Sequence, residues 1–374
     1  MPKPSVIVLL SLMVAAVDGR SALAAAVIVG VNTVDVPNMS AAQQDGLIEQ
    51  VGQAGVKTVR VVLNDKSTNF IIHAFQHNIG SVVIVYPTYG STAEPRPADP
   101  AVGLTWRQAG LVGASPTGFR AWLNAQLAPL DAAGVHLTAF EVGNEINTAG
   151  FNGDFPTRSS GRVLALSDLQ NQDDKEAAAI ASGYRQYLRI LAQVKEVRDA
   201  SSLNNKTPIL SAGLANVGPA RPAQPNSRQL AVSIPATIQY LRANGLDKLV
   251  DAYAVHVYPS GDPHQTVAMR TTTLEQAPFA ECRKGGARPC WLTEWGFTNS
   301  DHSCPLNDTV RTDLVKAERS AFETLIGQGR LAATLYYSWA GHIGIKDSSE
   351  AIFRCDALTG AGKLALSPLR VKQK

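Results

Sequence analysis

Hydrophobic positions in this chain gather into eight short, nearly continuous runs. They are Val27–Val34, Thr58–Asn64, Ser81–Pro87, Thr138–Glu145, Pro208–Ala215, Asp251–Pro259, Cys290–Gly296 and Ala333–Ala340. Each is rich in β-branched and apolar residues and does not alternate with polar ones. That is the pattern of parallel strands covered on both faces. Helical patterns fill the intervals. Ser40-Ala41-Ala42-Gln43 predicts a capping box, and the helix it opens stops near Gly55. Ser115-Pro116 offers an N-cap with proline at the first helical position, and that helix stops near Gly134. Gly80, Gly245 and Gly329 end other helices in the same way, each leading within a few residues into a strand.

The connections are asymmetric. Helix-to-strand links are a few residues long, whereas strand-to-helix links are often long: Thr88–Ala114, Ile146–Gln172, Asn216–Ser227, Phe297–Asp308 and Gly341–Glu350. Eight strands with long loops at one end predict a (β/α)8 TIM barrel whose active face is the C-terminal one. An open doubly wound sheet would call for a glycine-rich phosphate turn after the first strand. The first run leads instead into Asn32-Thr33-Val34-Asp35. No internal repeat or linker interrupts the pattern, so one domain over 25–374 is expected. The prolines at 95, 97 and 100 read as a stiff cleft wall.

Composition narrows the class. With 374 residues, 45% hydrophobic and 17% charged, the chain can bury a large core. A net charge of +3 carries no basic stripe for nucleic acid. Residues 1–24 read as a secretory signal: Lys3, then the apolar run Val6–Val17, then the small-x-small site Ala22-Leu23-Ala24. The run is about twelve residues, short for a bilayer span. A secreted or periplasmic protein, free of the membrane after cleavage, is therefore expected. The four cysteines, Cys282, Cys290, Cys304 and Cys355, fit disulfides in such a compartment. Three pairings are possible, and Cys282–Cys290 with Cys304–Cys355 is the favoured one. No Cys or His spacing resembles a metal site. His73 and His77 form a helical i, i+4 pair, but their helix belongs on the outside of the barrel.

The strand ends carry the chemistry. The second run holds Arg60, the fourth Asn144 and Glu145, the sixth His256 and Tyr258, the seventh Glu294 and Trp295, the eighth Trp339. Polar groups are costly in such strands unless they reach a cleft. Two carboxylates facing each other there are the equipment for glycosidic hydrolysis. Glu141 shares a strand face with Glu145 and falls one layer deeper, as a buried partner or a capped charge.

Together these residues resemble clan A of the glycoside hydrolases, retaining (β/α)8 enzymes that include family 5 cellulases and mannanases and family 39 xylosidases. Asn144-Glu145 matches the clan's acid/base motif, and Glu294 its nucleophile. His256-Val257-Tyr258, Arg60 and Trp339 match family 5 strand ends. Two positions depart from that pattern: Tyr86-Pro87-Thr88 stands where family 5 usually has a histidine, and Gly143 where many relatives have tryptophan. The resemblance implies a retaining β-glycoside hydrolase acting on a poly- or oligosaccharide, without cofactor or metal, as a monomer. Glu145 would be the acid/base and Glu294 the nucleophile, their carboxylates about 5–5.5 Å apart. Arg60 and Tyr258 would support Glu294, and Asn144 would donate to a sugar hydroxyl. His256 would orient Glu145, and Trp339 would floor the sugar site. Trp295 divides between packing and substrate contact. A silent carbohydrate-binding barrel is the alternative.

Overall fold

The computed structural model describes residues 27–223, 229–343 and 348–370. The signal-peptide reading of residues 1–24 lies outside them. In chain order the strands are β1 (Ile28–Asn32), β2 (Thr58–Val62), β3 (Gly80–Val85), β4 (Ala139–Val142), β5 (Val163–Leu164), β6 (Ile209–Leu210) and β7 (Leu214–Ala215). There follow β8 (Ala231–Val232), β9 (Tyr253–Val257), β10 (Cys290–Trp295), β11 (Leu331–Tyr336), β12 (Phe353–Arg354) and β13 (Ala357–Leu358).

Nine of these form one parallel sheet in the order β6-β4-β3-β2-β1-β11-β10-β9-β7. The fifth predicted run is thus two short pieces, β6 against β4 and β7 against β9. Parallel bridges Asn144–Gly213 and Leu210–Ala252 flank the break between them. Small pairs β5–β8 and β12–β13 lie in the connecting segments.

The two periodicities of the sequence each bury a face. Small and branched residues (Val82, Ala139, Leu210, Ala254, Ala333 and Leu335) pack with Trp291 into one buried cluster. A larger cluster joins the other strand faces to the helices, through residues such as Leu47, Phe70, Leu123, Tyr187, Leu241 and Phe322. The helix ends follow the local code. Helix Ala41–Gln53 starts on the Ser40/Gln43 capping box, and helix Pro116–Ala132 starts on Ser115, whose side chain accepts from Gly118 N. Both favoured disulfides are formed. Cys282–Cys290 closes a local loop, and Cys304–Cys355 ties the segment after β10 to the β12–β13 turn. Among the described residues, no helix is long and apolar enough to cross a membrane.

Candidate active site

The carboxyl ends of the strands converge on a cavity of about 350 Å³. Its lining includes Arg60, Asn144, Glu145, Tyr258 and Glu294, so five of the eight anticipated residues share one hollow. His256 lies directly beneath, 1% exposed.

Arg60 organises the floor. From β2 its Nε and Nη2 grip both oxygens of Glu141, at 2.6 and 2.8 Å. Its Nη1 donates to Glu294 Oε1 at 2.7 Å and to Asn32 Oδ1 at 2.8 Å, and Nη2 also reaches Asn144 Oδ1 at 2.9 Å. Burial alone would ease the proton off this guanidinium, but the charges of Glu141 and Glu294 outweigh it and hold the proton more tightly. Glu141 is fully buried. Burial pushes its acidity down, yet Arg60 and His256 prevail and keep it below the ordinary carboxylate range. Thr293 Oγ1 adds a third donor at 3.1 Å.

Glu294 stands at the end of β10. One oxygen takes Arg60 and the other accepts from the Tyr258 hydroxyl at 2.7 Å. Burial, then the charge of Glu294, raises the Tyr258 phenol, so it remains a donor. Glu145 follows β4 in a left-handed backbone conformation, φ 46°, uncommon for a residue with a side chain. Its amide donates to Gly213 O at 2.6 Å, and its carbonyl accepts from Thr148 N at 2.9 Å. This tight turn presents Glu145 to the cavity, and His256 Nδ1 lies 3.0 Å from its Oε1.

His256 also faces Glu294 Oε1 at 3.5 Å and Glu141 Oε1 at 3.6 Å. Burial favours neutral imidazole, but the charge of Glu294 and the bonds to Glu141 and Glu145 raise it to about 9. Two glycines make the convergence possible. Gly143 takes φ 100°, and a Cβ there would press on Ala212 and Ile146. A Cβ on Gly213 would fall 2.1 Å from His256 Nε2.

Ligand atoms of Glu145, His256 and Glu294 lie within 4.8 Å of one another, close enough to hold a metal ion. Arg60 and the raised His256 already bring positive charge to these carboxylates. Both Glu294 oxygens already accept, from Arg60 and from Tyr258, and one Glu145 oxygen faces His256, so the donor set fits a hydrogen-bonded carboxylate pair better than a metal centre. His73 sits outside on helix Thr68–Gln76, paired with Asp45 at 2.9 Å.

The structure takes the two tryptophans out of the cleft. Trp295 is fully buried and meets Phe322 and Tyr336 edge-on, each at 4.9 Å. Trp339 is fully buried and stacks on Phe353 at 5.0 Å. The eighth strand begins at Leu331 and ends at Tyr336, before the predicted run does. The aromatic at its tip is therefore Tyr337, which lines the cavity and meets the Tyr258 ring edge-on at 6.1 Å. Asn32, Asp35, Tyr86, Trp106, Phe151 and His342 also line the cavity beyond the anticipated set. Burial pushes Tyr86, which stands where the resemblance implies histidine, up to about 12.

No protein-family model matches the sequence, and no curated protein is similar to it. Solved structures do share the fold. A family 39 glycoside hydrolase from Bacteroides cellulosilyticus is 13% identical over 90% of this chain, with a TM-score of 0.50. The chain spans 62% of that protein. A family 1 β-glucosidase from Thermotoga maritima is 12% identical over 91% of this chain and 97% of its own, with a TM-score of 0.55. A GH5_18 protein from Bifidobacterium longum, solved with Manb1-4GlcNAc, is 13% identical over 91% of this chain and 77% of its own, with a TM-score of 0.55. At these identities the likeness is one of fold, and the proteins that share it are glycoside hydrolases.

Proposed function

We propose that this chain is a secreted, retaining β-glycoside hydrolase of neutral oligo- or polysaccharides, with Glu294 as nucleophile and Glu145 as acid/base. The observation that carries the reading is the carboxylate pair, with facing atoms within 4.8 Å. Retaining enzymes hold their carboxyls about 5–5.5 Å apart, whereas inverting ones leave about 6.5–9.5 Å for a water.

The environments divide the roles. Glu294 receives Arg60 and Tyr258, two donors that favour its ionised form. It attacks the anomeric carbon as the bond to the leaving oxygen breaks. Glu145 gives its proton to that oxygen. In the second step the Glu145 carboxylate takes a proton from water, the water oxygen bonds to the anomeric carbon, and Glu294 is released. Asn144 spends its oxygen on Arg60, which turns its amide NH2 toward a sugar hydroxyl. His256 acts by positioning Glu145.

The walls argue for neutral sugar. Among the described lining residues, Asp35, Glu145 and Glu294 are acidic, no lysine is present, and Arg60 is already taken by two carboxylates. A uronate or sulfated ring would meet like charge. The bridges flanking the β6/β7 break support a closed (β/α)8 barrel, and the packed cluster around Trp291 supports its filled interior. The disulfides fit export of a single domain over 25–374 acting as a monomer. The test is a screen of chromogenic β-glycosides, then NMR of the first-formed product. Retained configuration is expected, and inversion would overturn the mechanism.

A further inference from the structure

The loop between β3 and helix Pro116–Ala132 is bound to the loop that follows Glu145. Arg96 and Gln108 pair across it as an antiparallel bridge. From there Arg96 donates to the carbonyls of Phe155 at 2.9 Å and Ala149 at 2.6 Å. Gln108 donates to the carbonyl of Phe151 at 3.1 Å, and Trp106 Nε1 to that of Gly150 at 2.9 Å. Three side chains thus hold one short stretch of main chain in register. Thr148 folds the same stretch back onto the Glu145 carbonyl.

Trp106 is half exposed and lines the cavity beside Phe151, its ring centroid 5.7 Å away at 58°. A large exposed aromatic is costly to keep in water, and here it is held still by its own hydrogen bond. That bond uses the indole's single donor. What Trp106 can offer a ligand is therefore an apolar ring face, suited to the C–H face of a pyranose. Its place on the Glu145 side fixes which ring. The acid stands next to the leaving oxygen, so groups on its loop meet the leaving group. Asp35, Tyr337 and His342, by contrast, lie in the segments that follow β1 and β11, and β11 borders the β10 strand that carries Glu294.

We propose that Trp106, backed by Phe151, is the stacking platform for the leaving-group sugar, making the enzyme selective for a glycosyl rather than a small leaving group. The proposal rests on the hydrolase reading above. Rigid presentation of the ring reduces the entropy lost on binding.

The experiment compares two substrate types on wild type, Trp106→Ala and Trp106→Phe. One type is a β-glucosyl, β-mannosyl or β-xylosyl fluoride, whose leaving group has no ring. The other is the matching β-1,4-linked trisaccharide. Trp106→Ala is expected to lower kcat/KM on the trisaccharide by roughly tenfold to a hundredfold, the range for losing one well-seated aromatic contact, and to lower fluoride hydrolysis far less. Trp106→Phe should recover part of the loss. As a binding readout, Glu294→Gln should show a tryptophan fluorescence change with trisaccharide that Trp106→Phe abolishes. Equal losses on both substrates would overturn the platform alone and make Trp106 a positioning residue for the loop. Wild type that turns over neither, with no binding by Glu294→Gln, would overturn the hydrolase reading itself.

Discussion

Arg60 Nη1 lies 2.7 Å from Glu294 Oε1, while the other edge of the same guanidinium holds both oxygens of Glu141. One side chain therefore has two duties. It sets the charge of the proposed nucleophile, and it neutralises a carboxylate with no exposure. Arg60→Lys keeps the charge but not the planar fork. It is expected to lower kcat/KM by roughly a hundredfold or more, in line with losing a preorganised donor. Arg60→Met leaves Glu141 buried without its guanidinium partner, with only Thr293 and His256 beside it, at a cost of about 3–5 kcal/mol. Adding Glu141→Gln should restore much of the melting temperature and none of the activity. Recovery of activity in the double variant would show that Arg60 is structural only.

The two glutamates should separate by chemical rescue. Glu145→Ala removes proton donation but leaves the nucleophile, so aryl glycosides with good leaving groups still glycosylate Glu294. Azide should then accelerate turnover and give a glycosyl azide of retained configuration. Glu294→Ala with azide should give the inverted product. The same configuration from both variants would contradict the assignment.

Much of this site was legible because its residue types clash with their surroundings. Arg60, Asn144, Glu145, His256, Tyr258 and Glu294 interrupt strands of Val, Ala and Leu, and all six come together. Glu141 was legible from strand alternation. What escaped depends on loops: Trp106 and Phe151 meet only because two long connections fold against each other. Asp35 and His342, paired at 2.9 Å, are about three hundred residues apart, and no local pattern links them. The sheet order followed from the runs, but the split of the fifth strand into β6 and β7 left no mark in its hydrophobicity.

His256 gives the site a pH dependence of known sign. Its folded value, about 9, stands above the ordinary 6.5. The charged form therefore contributes stability that is fully present below pH 6.5 and lost as pH rises through about 9. The whole contribution is roughly 3 kcal/mol. Melting temperature should fall across that window in wild type. His256→Asn should be less stable near neutrality and flatter between pH 7 and 9. A wild-type profile that is flat, or rises, through the window would refute the charged imidazole.

The Cys304–Cys355 bond spans 51 residues. Closing a loop of that size restricts the unfolded chain by about 4 kcal/mol in the entropy model. Cys304→Ser with Cys355→Ser should lower the denaturation midpoint accordingly. Cys282→Ser with Cys290→Ser, which closes only 8 residues, should cost less on the same basis. Peptide mapping without reductant that found free thiols would remove both the pairing and the argument for export.

Tyr337 and Trp339 test the register of the eighth strand. Trp339 is fully buried, stacked on Phe353, with Nε1 3.4 Å from Gln50 Oε1. Trp339→Ala should therefore act on the fold, costing about 3–5 kcal/mol as a large-to-small core change. Trp339→Phe should retain enough stability to assay and leave kcat and KM near wild type. Tyr337 is the reverse case: it lines the cavity beside Tyr258, which donates to Glu294. Tyr337→Ala removes a ring from the cavity wall and, on the proposed function, should lower kcat/KM by roughly tenfold or more, as for loss of one aromatic contact. Its melting temperature should change less than that of Trp339→Ala. Kinetic loss in Trp339→Phe with none in Tyr337→Ala would return Trp339 to the sugar site and place the strand end two residues later.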